Sequence, residues 1–251
     1  MYGFSSLPTT IGIILFAVGA VGMVFFIWYE LRTPSPVLDL TLFRKNPAFV
    51  FSNLAALITY VSTFAVNFLL SLHLQYINGM EPGEAGTVLI ASSVLMTIFT
   101  LLSGWMSTKF APRLIATAGM VLNCAALTML IFLGDTTPLW YIIMVLGIYG
   151  IGIGLFVSPN TNVIMGSVES KVLGVASGTL GTMRTAGMML SMGVMMILFS
   201  VYIGDAEITP AYYPQFLTSV KVGFTIFAIL GLIGVIAQMV ARRTSKESLA
   251  K

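Results

Sequence analysis

Leu139-Trp-Tyr-Ile-Ile-Met-Val-Leu-Gly147-Ile-Tyr-Gly150-Ile-Gly152-Ile-Gly154-Leu-Phe-Val-Ser158 runs for twenty residues without a charged side chain. A hydrocarbon core about 30 Å thick is crossed by about 20 mostly apolar residues in a helix, which satisfies its backbone N–H and C=O groups within the segment. The stretch therefore reads as one membrane crossing. Outward from it, 10–29, 48–73, 85–107, 114–133, 172–203 and 217–240 read the same way, so seven spans account for most of the 251 residues. The span at 172–203 exceeds one straight crossing and is expected to tilt or project beyond the bilayer. No alternating strand pattern with a polar lumen face occurs, which excludes a transmembrane barrel. The first span lacks a basic leader and a cleavage site followed by polar sequence, so it reads as a crossing rather than a signal peptide. The predicted fold class is all-α, a polytopic membrane helix bundle with seven transmembrane helices.

Composition agrees with that reading. The chain is 57% hydrophobic and 8% charged, with a mean hydropathy of +0.98; soluble domains carry about 25% charged residues. So few charges cannot cover the outside of a water-soluble globule. The net charge is +3 and the cations sit at span ends rather than on a basic face, so nucleic-acid binding has no support. One Cys and one His cannot build a Cys/His metal site or an internal disulfide. No nucleophile–base pair or phosphate loop is visible, so neither enzyme, cofactor nor metal is expected.

The cations are distributed unevenly between the two sets of span ends. Arg32, Arg44, Lys45, Lys109, Arg113, Lys171, Arg242, Arg243, Lys246 and Lys251 fall at one set, and only Lys221 falls at the other. Short loops rich in Lys and Arg stay cytoplasmic. With seven crossings this places the C-terminus in the cytoplasm and the N-terminus outside, in a cell membrane. The twelfth cation, Arg184, lies inside a span.

The segment from Glu30 to Pro47, with Pro34, Pro36, Asp39, Arg44 and Lys45, stops the first span and delays the second. The expected organisation is a lone helix at 1–30, a cytoplasmic linker at 31–47, a six-helix domain at 48–241 and a cytoplasmic tail at 242–251. The six divide naturally into three and three, the count of an inverted repeat.

Several fragments in order along the chain carry a resemblance. Gly3-Phe-Ser-Ser-Leu-Pro-Thr-Thr-Ile-Gly12 and Pro36-Val-Leu-Asp39-Leu-Thr-Leu-Phe43-Arg44 are followed by Leu74-Gln75-Tyr76-Ile-Asn-Gly79 and Glu84-Ala85-Gly86. Then come Gly147-Ile-Tyr-Gly150-Ile-Gly152-Ile-Gly154 and Gly174-Val-Ala176-Ser177-Gly178, with Met183-Arg184 and Gly187. Together they resemble the C-terminal half of a 14-helix drug/proton antiporter of the major facilitator superfamily. The resemblance implies that the first span is the second of two extra central helices and that the other six form the C-terminal domain of a carrier. It also implies an N-terminal half as partner, the lipid bilayer as surroundings, and a small organic solute exchanged for protons. Gly104-Trp-Met-Ser-Thr108-Lys109-Phe-Ala-Pro-Arg113 resembles a degenerate copy of the family's conformational-switch loop, with Thr108 at the acidic position and Ala111 at the second glycine. Gly104, Lys109 and Arg113 are its remaining elements; a basic turn that only fixes topology is the other reading.

Polar residues inside the spans are costly and therefore informative. Arg184 lies near mid-depth, where a cation costs roughly 2.5–3.5 kcal/mol on insertion scales; a wet cavity, a carboxylate or backbone carbonyls would support it. Thr59, Thr63, Asn67 and Ser71 recur at i+4 and form a slowly drifting stripe, and Ser93, Thr97 and Thr100 add a second. Such residues either hydrogen-bond a neighbouring helix or line a cavity. The resemblance favours the cavity, with Arg184, Asn67, Thr63 and Thr97 as lining candidates. His73, the one histidine, is expected to reach toward water at the outer membrane surface. No carboxylate falls mid-span, so the proton-coupling acids are expected in the N-terminal half. Gly150 and Gly154, and Gly174 and Gly178, are small-xxx-small pairs suited to close packing; with Pro159 they also suit a hinge.

The expected function is half of an efflux carrier for drug-like or amphipathic solutes, working by alternating access. The alternative is a truncated, non-transporting membrane protein or a helical scaffold that binds a partner.

Overall fold

The computed structural model describes residues 46–204 and 208–249, with isolated positions between 14 and 29, and side chains up to 239. Six of the expected spans appear as long helices: α1 (Pro47–Tyr76), α2 (Pro82–Lys109), α3 (Pro112–Leu130), α4 (Leu139–Gly166), α5 (Leu173–Tyr202) and α6 (Tyr213–Leu249). Each contains a stretch long and apolar enough to cross a membrane. The described positions of the first span, from Ile14 to Tyr29, are helical. The rest of that span, the linker at 31–45 and the last two residues of the tail lie outside the described residues. The fold is all-helical, and the chain is a multi-pass membrane protein.

Local chemistry sets the helix ends. Pro47, Pro82 and Pro112 occupy first positions, where a missing N–H costs nothing. The Asn46 side chain accepts the Phe49 N–H at 3.1 Å, and Glu81 with Glu84 forms a capping box on α2. Gly79 takes φ +68° after α1, a conformation natural to glycine.

Two boundaries differ from the sequence reading. The last span, expected to end at 240, runs on as helix to Leu249 through most of the expected tail. The span expected to end at 158 continues through Pro159 to Gly166. Proline is tolerated inside a membrane helix when neighbouring groups engage the disturbed backbone. Ser103 Oγ of α2 donates to the Gly154 carbonyl before the proline at 2.9 Å, and just after it Asn160 Nδ2 ties α4 to α1 by donating to the Ser52 carbonyl at 3.2 Å.

The packing order is simple. α1 packs on α5 and α6, α4 packs on α2 and α3, and α3 packs on α6. Exchanging the first three helices for the last three maps this pattern onto itself, as expected of a three-plus-three repeat. Directions alternate. Ile58, Leu69 and Tyr76 of α1 meet Gly234, Gly223 and Phe216 of α6 in reverse order, whereas Ser92, Met96 and Gly104 of α2 meet Gly150, Gly154 and Ser158 of α4 in parallel order. The main core joins Leu69, Leu70, Leu146, Ile153, Phe216, Phe224 and Phe227.

Glycines let the tightest seams form. A Cβ on Gly150 would overlap the Ser92 carbonyl, and one on Gly154 would stand 2.7 Å from the Met96 oxygen. Gly119 and Gly152 interlock in the same way between α3 and α4, with a Cβ on Gly119 only 2.6 Å from the Gly152 oxygen. Gly174 and Gly178 differ: a Cβ on either meets nothing within 4 Å, so neither makes a close approach among the described residues. They face outward, and the close α5–α1 approach uses Gly187, where a Cβ would stand 2.7 Å from the Leu57 carbonyl.

His73 also departs from expectation. It is 0% exposed, and neither ring nitrogen has a hydrogen-bond partner among the described residues. The α1–α6 pairing explains this: Leu69 and Tyr76, a turn to either side of it, both lie against α6, so the imidazole points inward rather than to the membrane surface.

Candidate functional site: a polar helical face

A side-chain period of 3.6 residues gives α1 distinct faces. Ile58, Leu69 and Tyr76 turn toward α6. Tyr60, Thr63, Asn67 and Ser71, at i, i+3, i+7 and i+11, lie together on another side. Of these Asn67 is exposed, Thr63 and Ser71 are half-buried, and Tyr60 is 8% exposed. Each i+4 step drifts about 40° around a helix, which is why Thr59, at the start of the expected stripe, is buried instead. Thr59 lines a small cavity with Ile58, Ser62, Asn123, Cys124 and Gly231, where α1, α3 and α6 meet.

Arg184 is the twelfth of thirty residues in α5. It is exposed, and its guanidinium carbon lies 5.1 Å from the centroid of the Tyr60 ring. A cation over an aromatic face is attracted by the ring quadrupole, worth about 0.5–1 kcal/mol at exposed sites. The carboxylate or carbonyl partner expected from the sequence is not found among the described residues. Around Arg184, Gly174, Ser177, Gly178, Gly181, Thr182 and Thr185 are all exposed, so this side of α5 is open and built from small residues.

α2 adds Ser93 and Thr97, both exposed, and Thr100, half-buried. Most of the hydroxyl and amide donors on these faces are used within their own helices. Asn67 Nδ2 donates to the Thr63 carbonyl at 3.0 Å, Thr97 Oγ1 to Ser93 at 2.9 Å, and Thr100 Oγ1 to Met96 at 2.7 Å. Thr182 and Thr185 donate to Gly178 at 3.0 Å and Gly181 at 3.1 Å. These donors are thus used within their own helices rather than on a neighbouring one.

The loop residues lie apart from this face, at one end of the bundle. α2 ends at Lys109 and α3 begins at Pro112, so the connection is a two-residue turn. The Lys109 ammonium stands 4.1 Å from the Trp105 ring centroid. Gly104 lies inside α2, where a Cβ would touch Ser158 Oγ at 3.4 Å. Arg113 is half-buried in the first turn of α3. Pro159 sits inside α4, and among the described residues no group of three metal-ligating side chains occurs.

Sequence reasoning missed two contributors, Tyr60 and Gly187. Tyr60 lies three residues before Thr63, a spacing that places both on one face, but a tyrosine in an apolar span gives no polar signal.

A six-helix bundle with alternating directions, pseudo-repeated halves and one polar open face defines the class: a membrane transporter fold. The Major Facilitator Superfamily model matches residues 2–192 and 52–251, and the chain belongs to that family. Its members are transporters rather than enzymes. The chain is 32% identical over 206 residues to a tetracycline resistance determinant of Streptomyces rimosus, covering 79% of this chain and 58% of that protein. It is 25% identical to the riboflavin transporter RibZ of Clostridioides difficile, over 88% of this chain and 48% of the relative. It is 28% identical to the multidrug resistance protein Stp of Mycobacterium tuberculosis, over 77% and 35% respectively. A solved bacterial homolog of the human lysosomal transporter Spinster, in an inward-facing and occupied conformation, superposes with a TM-score of 0.65 at 18% identity. That match covers 93% of this chain and 57% of the other. The chain thus spans about half the length of the relatives it matches.

Proposed function

We propose that the chain is the C-terminal half of an efflux carrier for amphipathic organic solutes and works by alternating access against an N-terminal six-helix half. The observation that carries this reading is the open polar side of α1, α2 and α5. Asn67, Ser93, Thr97 and Arg184 are exposed there, within helices otherwise apolar enough for lipid. Polar groups facing hydrocarbon are costly; facing a complementary bundle and a wet cleft they are not. The named activities of the relatives, resistance and solute transport, and their roughly doubled length support the same reading.

In this reading residues 48–241 form one domain that rocks as a body, held rigid by the glycine seams. The helix before it is the extra central one of a 14-helix carrier. The small open residues Gly174 and Gly178 of α5 receive the partner half, and Pro159 with the glycines of α4 supplies any bend. Lys109 and Arg113 with Gly104 form the cytoplasmic switch turn. Lys109, Arg113 and Lys171 share one end of the bundle, and by the positive-inside rule that end is cytoplasmic, with the C-terminus inside and the N-terminus outside. The described carboxylates, Glu81, Glu84, Asp135 and Glu169, lie at helix ends or in turns, so proton coupling requires acids of the other half.

Thiol labelling tests the wet face. The single native cysteine, Cys124, is buried and serves as the silent background. In the assembled carrier, Asn67→Cys and Thr97→Cys are expected to react with a hydrophilic maleimide. Leu232→Cys and Ile236→Cys on α6, where the native residues are equally open in this chain, are expected to stay unlabelled because they face acyl chains. Labelling of all four alike, or none at positions 67 and 97, would remove the reading.

A further inference from the structure

We infer that the carried solute is an amphipathic organic anion whose carboxylate is received by Arg184, and this rests on the transport reading above. The hydrogen-bond pattern of the open face points there. Thr97, Thr100, Thr182, Thr185 and the Asn67 amide already donate to carbonyls of their own helices. Arg184 does not: its described interaction is with the Tyr60 ring, and the N–H groups of its guanidinium have no acceptor among the described residues. The charged donors of this face are those of Arg184.

Geometry adds to charge. Tyr60 is 8% exposed, so its ring is clamped by the α1 packing and gives the guanidinium a rigid surface to lie on. A guanidinium held on an aromatic ring keeps its planar fork free at the edge, and that fork matches the two oxygens of a carboxylate. No described carboxylate competes for it, because Glu81, Glu84, Asp135 and Glu169 sit at helix ends or in turns. Gly181 beside it carries no side chain, and a Cβ there would meet nothing within 4 Å, which leaves room for a bulky solute body next to the cation. A cationic solute would meet an uncompensated like charge on this wall.

The experiment compares three dyes exported by the assembled carrier: anionic carboxyfluorescein, cationic ethidium and neutral Nile red, with immunoblots normalising the amount of carrier in the membrane. The wild type is expected to move carboxyfluorescein in preference to ethidium. Arg184→Gln is expected to lower the carboxyfluorescein-to-Nile red export ratio about tenfold or more, the scale of a lost charge-assisted bidentate contact. Arg184→Lys, which keeps the charge without the fork, is expected to fall between. Preference for ethidium, or equal loss of all three dyes in Arg184→Gln, would overturn the proposal; equal loss would make Arg184 the ion-pair partner of a carboxylate in the other half. Movement of Nile red or ethidium with carboxyfluorescein left behind overturns this inference alone. No movement of any dye by the wild type overturns the transport reading and the inference with it.

Discussion

The outer side of α6 beyond Thr225 and the open side of α5 are both uncovered in this chain, yet their exposed residues differ in chemistry. Ile229, Leu232, Ile233, Ile236 and Met239 stand out from α6 as large apolar side chains. On the side of α5 that carries Arg184 the exposed residues include Gly174, Ser177, Gly178, Gly181, Thr182 and Thr185, whereas Leu190, Ile197 and Val201 stand out from another side of the same helix. Exposure alone does not say what covers a helix; the chemistry of the exposed atoms does. A side of isoleucine and leucine is satisfied by lipid tails, which are as apolar as itself. A side of glycine, hydroxyls and one arginine is satisfied only by water, a solute or another protein surface. Two neighbouring helices of the same half of the pseudo-repeat, α5 and α6, therefore present different chemistry to what surrounds them.

That contrast can be broken first at its foundation. Gly150→Leu drives a side chain into the Ser92 carbonyl, and because the obstacle is backbone the cost should exceed the roughly 1–3 kcal/mol of ordinary overpacking. The expected outcome is loss of a monodisperse, detergent-solubilised protein by size exclusion. Next in size is Arg184→Ala, expected to lower carboxyfluorescein export by the assembled carrier about tenfold or more while membrane insertion and Nile red export stay intact. Unchanged export would remove Arg184 from the mechanism. A pair of mirror exchanges sharpens the comparison directly. Ile236→Asn puts an amide among acyl chains and should lower thermal stability by about 1–3 kcal/mol. Asn67→Leu should leave stability nearly unchanged and reduce export only a few-fold, on the scale of about 0.6 kcal/mol for one intramembrane polar contact. Equal stability losses would mean that the two sides face the same medium. Smallest of all is Gly178→Ala: its Cβ meets nothing within 4 Å, so the thermal midpoint should hold or rise, within the roughly 1 kcal/mol by which Ala exceeds Gly in a helix. A large fall in export with that gain would place Gly178 against the partner half.

The six long helices were legible because each contains an apolar run of bilayer length, a one-dimensional signal. Pairing between helices is not one-dimensional, and there the sequence reading lost ground. His73 looked interfacial from its position near the end of a span; its burial depends on which turn of α1 meets which turn of α6. Gly150 and Gly174 carry the same small-xxx-small spacing with a glycine or serine neighbour, yet one is locked under α2 and the other is open, because spacing says that a helix can be approached and not that it is. Gly187 has no glycine partner at i+4 and gave no pair to notice. Pro159 was read as part of a hinge just beyond the expected span; that the helix runs through it to Gly166 shows only in the structure. Arg184 was legible as costly, and its companion Tyr60 was not, since a ring signals nothing until a cation lies on it.

The central claim is that this polar wall works only against a complementary bundle. The direct measurement is proton-linked dye flux in proteoliposomes under an imposed pH gradient, with the chain reconstituted alone and together with its proposed N-terminal half. The account expects no gradient-driven flux from the chain alone and flux from the pair. Gradient-driven flux by the chain alone, at the rate of the pair, would contradict it.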